Sequence, residues 1–112
     1  MGEYQIRYSS VAVENLHNAL MWGAENWGEE AAGRWLDELE KHIRDRLTLM
    51  PKAYPIAPES HEFELEIRNL ICGRYRILYS VTVDEVLLLY VRGPYSGGSS
   101  NRVSESNSIL ND

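Results

Sequence analysis

The chain has 112 residues, 44% of them hydrophobic and 25% charged, which is the scale and balance of one globular domain rather than a disordered chain. Its formal net charge is −6, from 17 acidic and 11 basic residues, the wrong sign for a protein whose whole surface lies on nucleic acid phosphates. A single cysteine, Cys72, excludes an internal disulfide and a cysteine-based zinc site. No apolar run is long enough to span a bilayer, the polar start has no secretory pattern, and Ile6 stands where a myristoylation motif wants Ser or Thr, so a cytoplasmic location is expected.

In chain order, Tyr4, Ile6 and Tyr8 alternate with Gln5 and Arg7, the period of a half-buried strand. Ser9 and Ser10 then offer an N-cap. Ala12, Leu16, Ala19, Leu20, Gly23 and Trp27 recur at three and four residues and predict one face of a first helix. Gly28 interrupts it, and Glu29 and Glu30 suit the positive end of a second helix dipole. That helix has the cleanest stripe, Ala32, Trp35, Leu36, Leu39, Ile43, Leu47 and Met50, and Pro51 is expected to stop it. Two amphipathic helices with so short a link predict an antiparallel helical hairpin.

Lys52 to His61, with Pro55 and Pro58, reads as a loop with a short extended edge. Phe63, Leu65 and Ile67 then alternate with Glu64, Glu66 and Arg68, predicting a strand. A three-residue turn at Ile71, Cys72 and Gly73 leads into a strand that alternates Tyr75, Ile77, Tyr79 and Val81 with Arg74, Arg76, Leu78 and Ser80. That turn length sets Arg68 opposite Arg76, an unfavourable pairing of like charges that could hold an acidic group or a phosphate. Asp84 and Glu85 make a second turn, and Val86 to Val91 is apolar throughout, as for a central strand covered on both faces. Because both faces are apolar, the direction of Arg92 is open. The order β-α-α-β-β-β predicts an α+β fold, a helical hairpin on one face of a small antiparallel sheet with the last strand beside the first. The Ser-, Gly- and Asn-rich stretch from Ser96 reads as a flexible tail, which gives a domain over 1–95 and a tail over 96–112.

His17, His42 and His61 have no metal-ligand spacing, no nucleophile or phosphate-loop motif is present, and no cofactor or metal is expected. Trp22, Trp27 and Trp35 read as packing within the hairpin, although Trp22 lies beside the main stripe and suits a recognition surface. Between Gly73 and Tyr95 the basic residues are Arg74, Arg76 and Arg92 against Asp84 and Glu85, a local basic patch on an acidic body.

The stretches Glu66-Ile67-Arg68-Asn69-Leu70, Gly73-Arg74-Tyr75-Arg76-Ile77-Leu78-Tyr79 and Val86-Leu87-Leu88-Leu89-Tyr90-Val91-Arg92-Gly93 resemble the carboxy-terminal half of RelE/ParE toxins of bacterial type II toxin–antitoxin (plasmid stabilisation) systems. Ala31-Ala32-Gly33-Arg34-Trp35-Leu36 with Met50-Pro51 resembles the family's first half, so the likeness covers about residues 4–95. It implies the same fold and neutralisation by a wrapping antitoxin, with a homodimer or a hetero-oligomer with the antitoxin both admitted. It also implies one of two actions, with a member of the same fold kept as a non-toxic interaction module as the third reading. RelE-like members cleave messenger RNA on the ribosome without metal; here Arg68, Arg74, Arg76, Arg92 and Tyr95 would carry that chemistry. ParE-like members bind DNA gyrase and need no catalytic set; Trp22, Arg68, Arg74, Arg76, Tyr79, Tyr90 and Arg92 are then the expected binding residues. Glu64 and Glu66 stand where the nucleases carry lysines, which favours the ParE-like, non-enzymatic reading over the ribosomal one.

Overall fold

The computed structural model describes residues 3–62 and 65–93. The element order is β1 (Gln5–Tyr8), α1 (Ser10–Trp27), α2 (Glu29–Leu47), two short 3-10 turns (Pro51–Ala53 and Pro58–Glu62), β2 (Arg68–Cys72), β3 (Tyr75–Val81) and β4 (Glu85–Arg92). The strands lie in the order β1-β4-β3-β2, so the first strand does pair with the last. Their pairing is parallel, whereas β4–β3 and β3–β2 are antiparallel, and the sheet is mixed rather than wholly antiparallel. The reason lies in the two helices: β1 reaches β4 by a crossover rather than by a hairpin.

The Ser9 hydroxyl caps α1, accepting from the Ala12 amide at 3.0 Å and donating to the Leu89 carbonyl at 3.0 Å. Gly28, at φ 96°, joins the two helices as a single residue, a conformation that an L side chain rarely adopts. Ala12, Leu16 and Ala19 from α1 meet Leu39, Ile43 and Leu47 from α2 over Leu70, Ile77, Tyr79, Val86, Leu88 and Val91 of the sheet. The helical stripes therefore form the core as their spacing predicted, with two exceptions. Trp27 is largely exposed, and α2 ends at Leu47 rather than at Pro51, leaving Met50 exposed. Pro51 instead begins a 3-10 turn.

Three sequence expectations change in the second half. Leu65 to Ile67 is not strand: β2 starts at Arg68, while Phe63 and Glu64 lie outside the described residues. The β2–β3 turn is two residues, Gly73 and Arg74, because Cys72 pairs with Tyr75. Cys72 accordingly ends a strand and is buried, which pushes its thiol up to about 11 and makes it a poor nucleophile. The expected tail over 96–112 lies outside the described residues.

The loop before β2 is fastened to the sheet rather than loose. The Tyr79 hydroxyl donates to the Pro51 carbonyl at 2.6 Å, the Asn69 amide to Pro55 at 3.0 Å and the Ala57 amide to Ile67 at 2.7 Å. Ala57, Ile67 and Leu78 form a second, smaller buried cluster on the sheet face away from the helices, with Leu89 and Tyr90 packed against it. That cover explains why β4 is apolar on both faces.

Candidate functional site

The direction of each arginine follows from register. One residue removed from the β2–β3 turn slides that pairing by an odd count and moves a side chain to the other face. Arg68 pairs with Tyr79 and lies on the helix side, while Arg76 pairs with Ile71 and lies on the loop side. The expected Arg68–Arg76 pair does not exist. Between β3 and β4 the register is interrupted: Tyr79 pairs with Leu88 but Leu78 with Tyr90, so Leu89 is an extra residue in β4. Such a bulge reverses the alternation beyond it. Val86 and Leu88 face the helices before it and Val91 after it, which turns Arg92 to the loop side, directly opposite Arg76.

Two opposed arginines repel, and the chain answers with Glu59 from the Pro58–Glu62 turn. Arg76 donates through both terminal nitrogens to the two Glu59 oxygens, at 2.8 and 3.0 Å, and Arg92 Nη1 reaches one of them at 3.5 Å. This is the forked arginine–carboxylate geometry, stronger and more specific than a single contact. The arginine hydrogen bond holds the Glu59 carboxyl below the usual carboxylate range and raises Arg76 still further above neutrality. The Arg92 guanidinium also lies 4.8 Å from the centre of the Tyr90 ring, a cation–π contact. Arg74, Arg76, Arg92 and Gly93 line an open recess of about 550 Å³ at this end of the sheet. The site is thus a cationic recess with one resident carboxylate.

The other predicted residues are placed elsewhere. Arg68 donates to the Tyr54 carbonyl at 2.7 Å, to that of Lys52 at 3.2 Å and to Glu66 at 3.2 Å, and its side chain is only 17% exposed. It staples the loop and is on the far side of the sheet from the recess. Tyr79, expected as a binding residue, is fully buried, and burial pushes its phenol far up. Trp22 stacks edge-on to Trp27, which meets Trp35, which meets Tyr75 (centroids 5.4, 6.2 and 5.2 Å apart), an aromatic ladder from the helical hairpin to the sheet. Tyr95 lies outside the described residues. No group of His, Cys, Asp and Glu able to hold a metal occurs among the described residues.

Glu59 was missed by sequence reasoning. Its one signal was indirect: a like-charged pair on a sheet face needs a carboxylate, and Glu59 and Glu62 are the acidic residues carried by the turn that Pro58 opens. A second feature was also missed, a groove of about 350 Å³ lined by Tyr8, Val13, Leu16, His17, Leu20, Leu36 and Glu40, where both helices meet β1. Val13, His17 and Leu20 are spaced by four and three residues, a second line on α1 beside the core stripe. Val13 is 53% exposed there. Burial, helped by the nearby Glu40 carboxylate, raises the Tyr8 phenol.

This arrangement agrees with what known proteins look like. A sequence profile described as "ParE toxin of type II toxin-antitoxin system, parDE" matches residues 6–93. No curated protein matches the sequence. Among solved structures, a chain of the chromosomal ParDE TA system from P. aeruginosa superposes with a TM-score of 0.66 at 12% identity, covering 80% of this chain and 95% of that one. A chain of the toxin–antitoxin complex RelBE2 from Mycobacterium tuberculosis superposes with a TM-score of 0.57 at 20% identity, covering 83% and 93%. At such identities the superpositions speak for the fold, while the profile, spanning most of the chain, speaks for the family. The chain belongs to the ParE toxin family of type II toxin–antitoxin systems.

Proposed function

We propose that this ParE-type toxin arrests growth by binding a protein target such as DNA gyrase, and that a cognate antitoxin neutralises it. The observation that carries the reading is that Arg68 and Arg76 are already engaged by the chain's own groups. Of the basic residues a nuclease would gather, Arg68 is behind the sheet in backbone carbonyls and Arg76 is clamped by Glu59. Arginine guanidinium, raised further by a carboxylate, is a poor proton donor or acceptor in catalysis. On a body of net charge −6, the remaining Arg74 and Arg92 offer few phosphate contacts. The toxin domain is taken as residues 1–95.

The neutralising contact has a suitable place in the groove between the helices and β1. It is mostly apolar, edged by His17 and Glu40, and fits an apolar segment of the antitoxin. Val13→Asp would put a charge into it from an exposed position and is expected to weaken antitoxin binding by about tenfold or more.

Convergence of Arg74, Arg76 and Arg92 in one recess favours one rival, a ribosome-dependent endoribonuclease. The two are separated by a supercoiling assay with purified gyrase. Inhibition that the antitoxin reverses is expected. Unchanged supercoiling at high toxin concentration would refute the gyrase reading, and normal growth on expression without antitoxin would refute toxicity altogether.

A further inference from the structure

Three features of the arginine recess do not follow from a need for stability. The ion pair beside it reaches solvent, with side chains 35% (Arg76), 42% (Arg92) and 19% (Glu59) exposed, and solvent screening limits what it contributes to folding. Arg76 and Arg92 share the single carboxylate of Glu59, two guanidinium charges against one, so this pair is not fully neutralised with Glu59 in place. The backbone that carries Glu59 is fastened without its side chain. The Ser60 amide donates to Ala57 at 3.0 Å, the Ile67 amide to the Ser60 hydroxyl at 3.0 Å and the Ser60 hydroxyl to Leu65 at 3.2 Å. The carboxylate can therefore leave Arg76 by side-chain rotation while the loop stays where it is.

We propose that the recess formed by Arg74, Arg76 and Arg92 is a docking site for an acidic side chain of a protein partner, with Glu59 as the resident carboxylate that the incoming one replaces. The fork between Arg76 and Glu59 already displays the chemistry the site accepts. Carboxylate for carboxylate leaves the charge balance of the recess unchanged. A nucleic acid draws its affinity from many phosphate contacts along its backbone, and a recess lined by three arginines on a body of net charge −6 supplies few. Tyr90 lies under Arg92, its ring centre 4.8 Å from the guanidinium carbon. As an internal competitor, Glu59 raises the threshold for binding, so that an isolated acidic residue is ignored and one delivered by a partner docked elsewhere is captured. The inference stands without the gyrase or antitoxin reading, since it concerns which chemistry the recess takes and not which protein brings it.

The test is fluorescence anisotropy with a labelled octaglutamate peptide and a labelled octauridine RNA, on the full chain. Glu59→Gln is expected to bind the peptide about tenfold more tightly than wild type, close to 1.4 kcal/mol. Glu59→Asp, with a shorter reach to Arg76, should fall between them. Adding Arg76→Ala or Arg92→Ala to Glu59→Gln should abolish the gain. Glu30→Gln, which removes the same charge from an exposed position on α2, should leave peptide binding as in wild type. Equal peptide binding by wild type and Glu59→Gln, or no binding by either, would overturn the proposal. So would an equal gain in Glu30→Gln, which would trace the effect to net charge, or tighter binding of the RNA than of the peptide by Glu59→Gln.

Discussion

The helix side of the sheet carries Ile77, Tyr79, Val86, Leu88 and Val91, all buried beneath two helices, whereas the opposite side buries Ala57, Ile67 and Leu78 and then gives way to Arg76, Arg92 and Glu59. The first face is continuous, alternates cleanly along β3 and is closed by side chains from both helices and all four strands. The second is covered by a single irregular loop held through backbone hydrogen bonds, and its polar end is open. The buried core is concentrated on one sheet face, and the charged chemistry of the sheet on the other. Substitutions at buried positions beneath the helices should therefore cause large losses of stability, and those in the arginine recess changes in recognition.

The largest expected effect is on the helix side. Ile43, fully buried on α2, contacts the cluster that joins helices to sheet, and Ile43→Ala should cost about 2–5 kcal/mol in chemical denaturation. A loss under about 1 kcal/mol would mean that the helical layer is not the main source of stability. Next comes the join between the faces. A Cβ at Gly93 would clash with the Tyr75 ring, and Tyr75 is itself buried against Trp35. Gly93→Ala should lower stability by about 1–3 kcal/mol, measured in the same way, because the ring must move out of a packed position. Tyr79→Phe leaves the buried ring in place but strips the Pro51 carbonyl of its donor, at a cost of about 1–2 kcal/mol.

How much of this was readable beforehand differs between the same two faces. The helix side was legible because periodicity reports burial directly: Leu39, Ile43 and Leu47 recur at helical spacing, and Ile77 and Tyr79 at strand spacing. On the loop side the decisive facts are parities. One residue in the β2–β3 turn decides whether Arg68 shares a face with Arg76, and the extra residue Leu89 decides where Arg92 points. An unbroken apolar run in β4 carries no mark of the bulge, so neither could be read from pattern. The Arg76–Arg92 pair and its Glu59 partner were illegible for the same reason, since the contact spans 17 residues through an irregular loop. Tyr79 differs: its alternation grouped it with Tyr75 and Ile77, the ParE-like reading counted it among the binding residues, and in the fold its ring is buried with its hydroxyl on the Pro51 carbonyl.

The smallest stability effect belongs to the recess. Glu59→Gln should cost only about 1 kcal/mol, because the pair is part-exposed. Its pH dependence has a fixed sign. The carboxyl is held below its ordinary value in the folded chain, so its contribution is complete above the ordinary glutamate range and lost as pH falls through the lowered folded value. Melting curves from neutral to acid pH should show wild type converging on Glu59→Gln at the acid end. A difference between the two that is constant with pH would remove the ion pair from the explanation.

The claim that this recess serves protein recognition rather than RNA cleavage is tested most directly by primer extension on translating ribosomes, with wild type and Arg76→Ala side by side. The arrangement of Arg76 under Glu59, with Arg68 behind the sheet, predicts transcripts that are uncut in both reactions. Codon-specific cuts made by wild type and absent with Arg76→Ala would contradict it and assign the recess to phosphate chemistry.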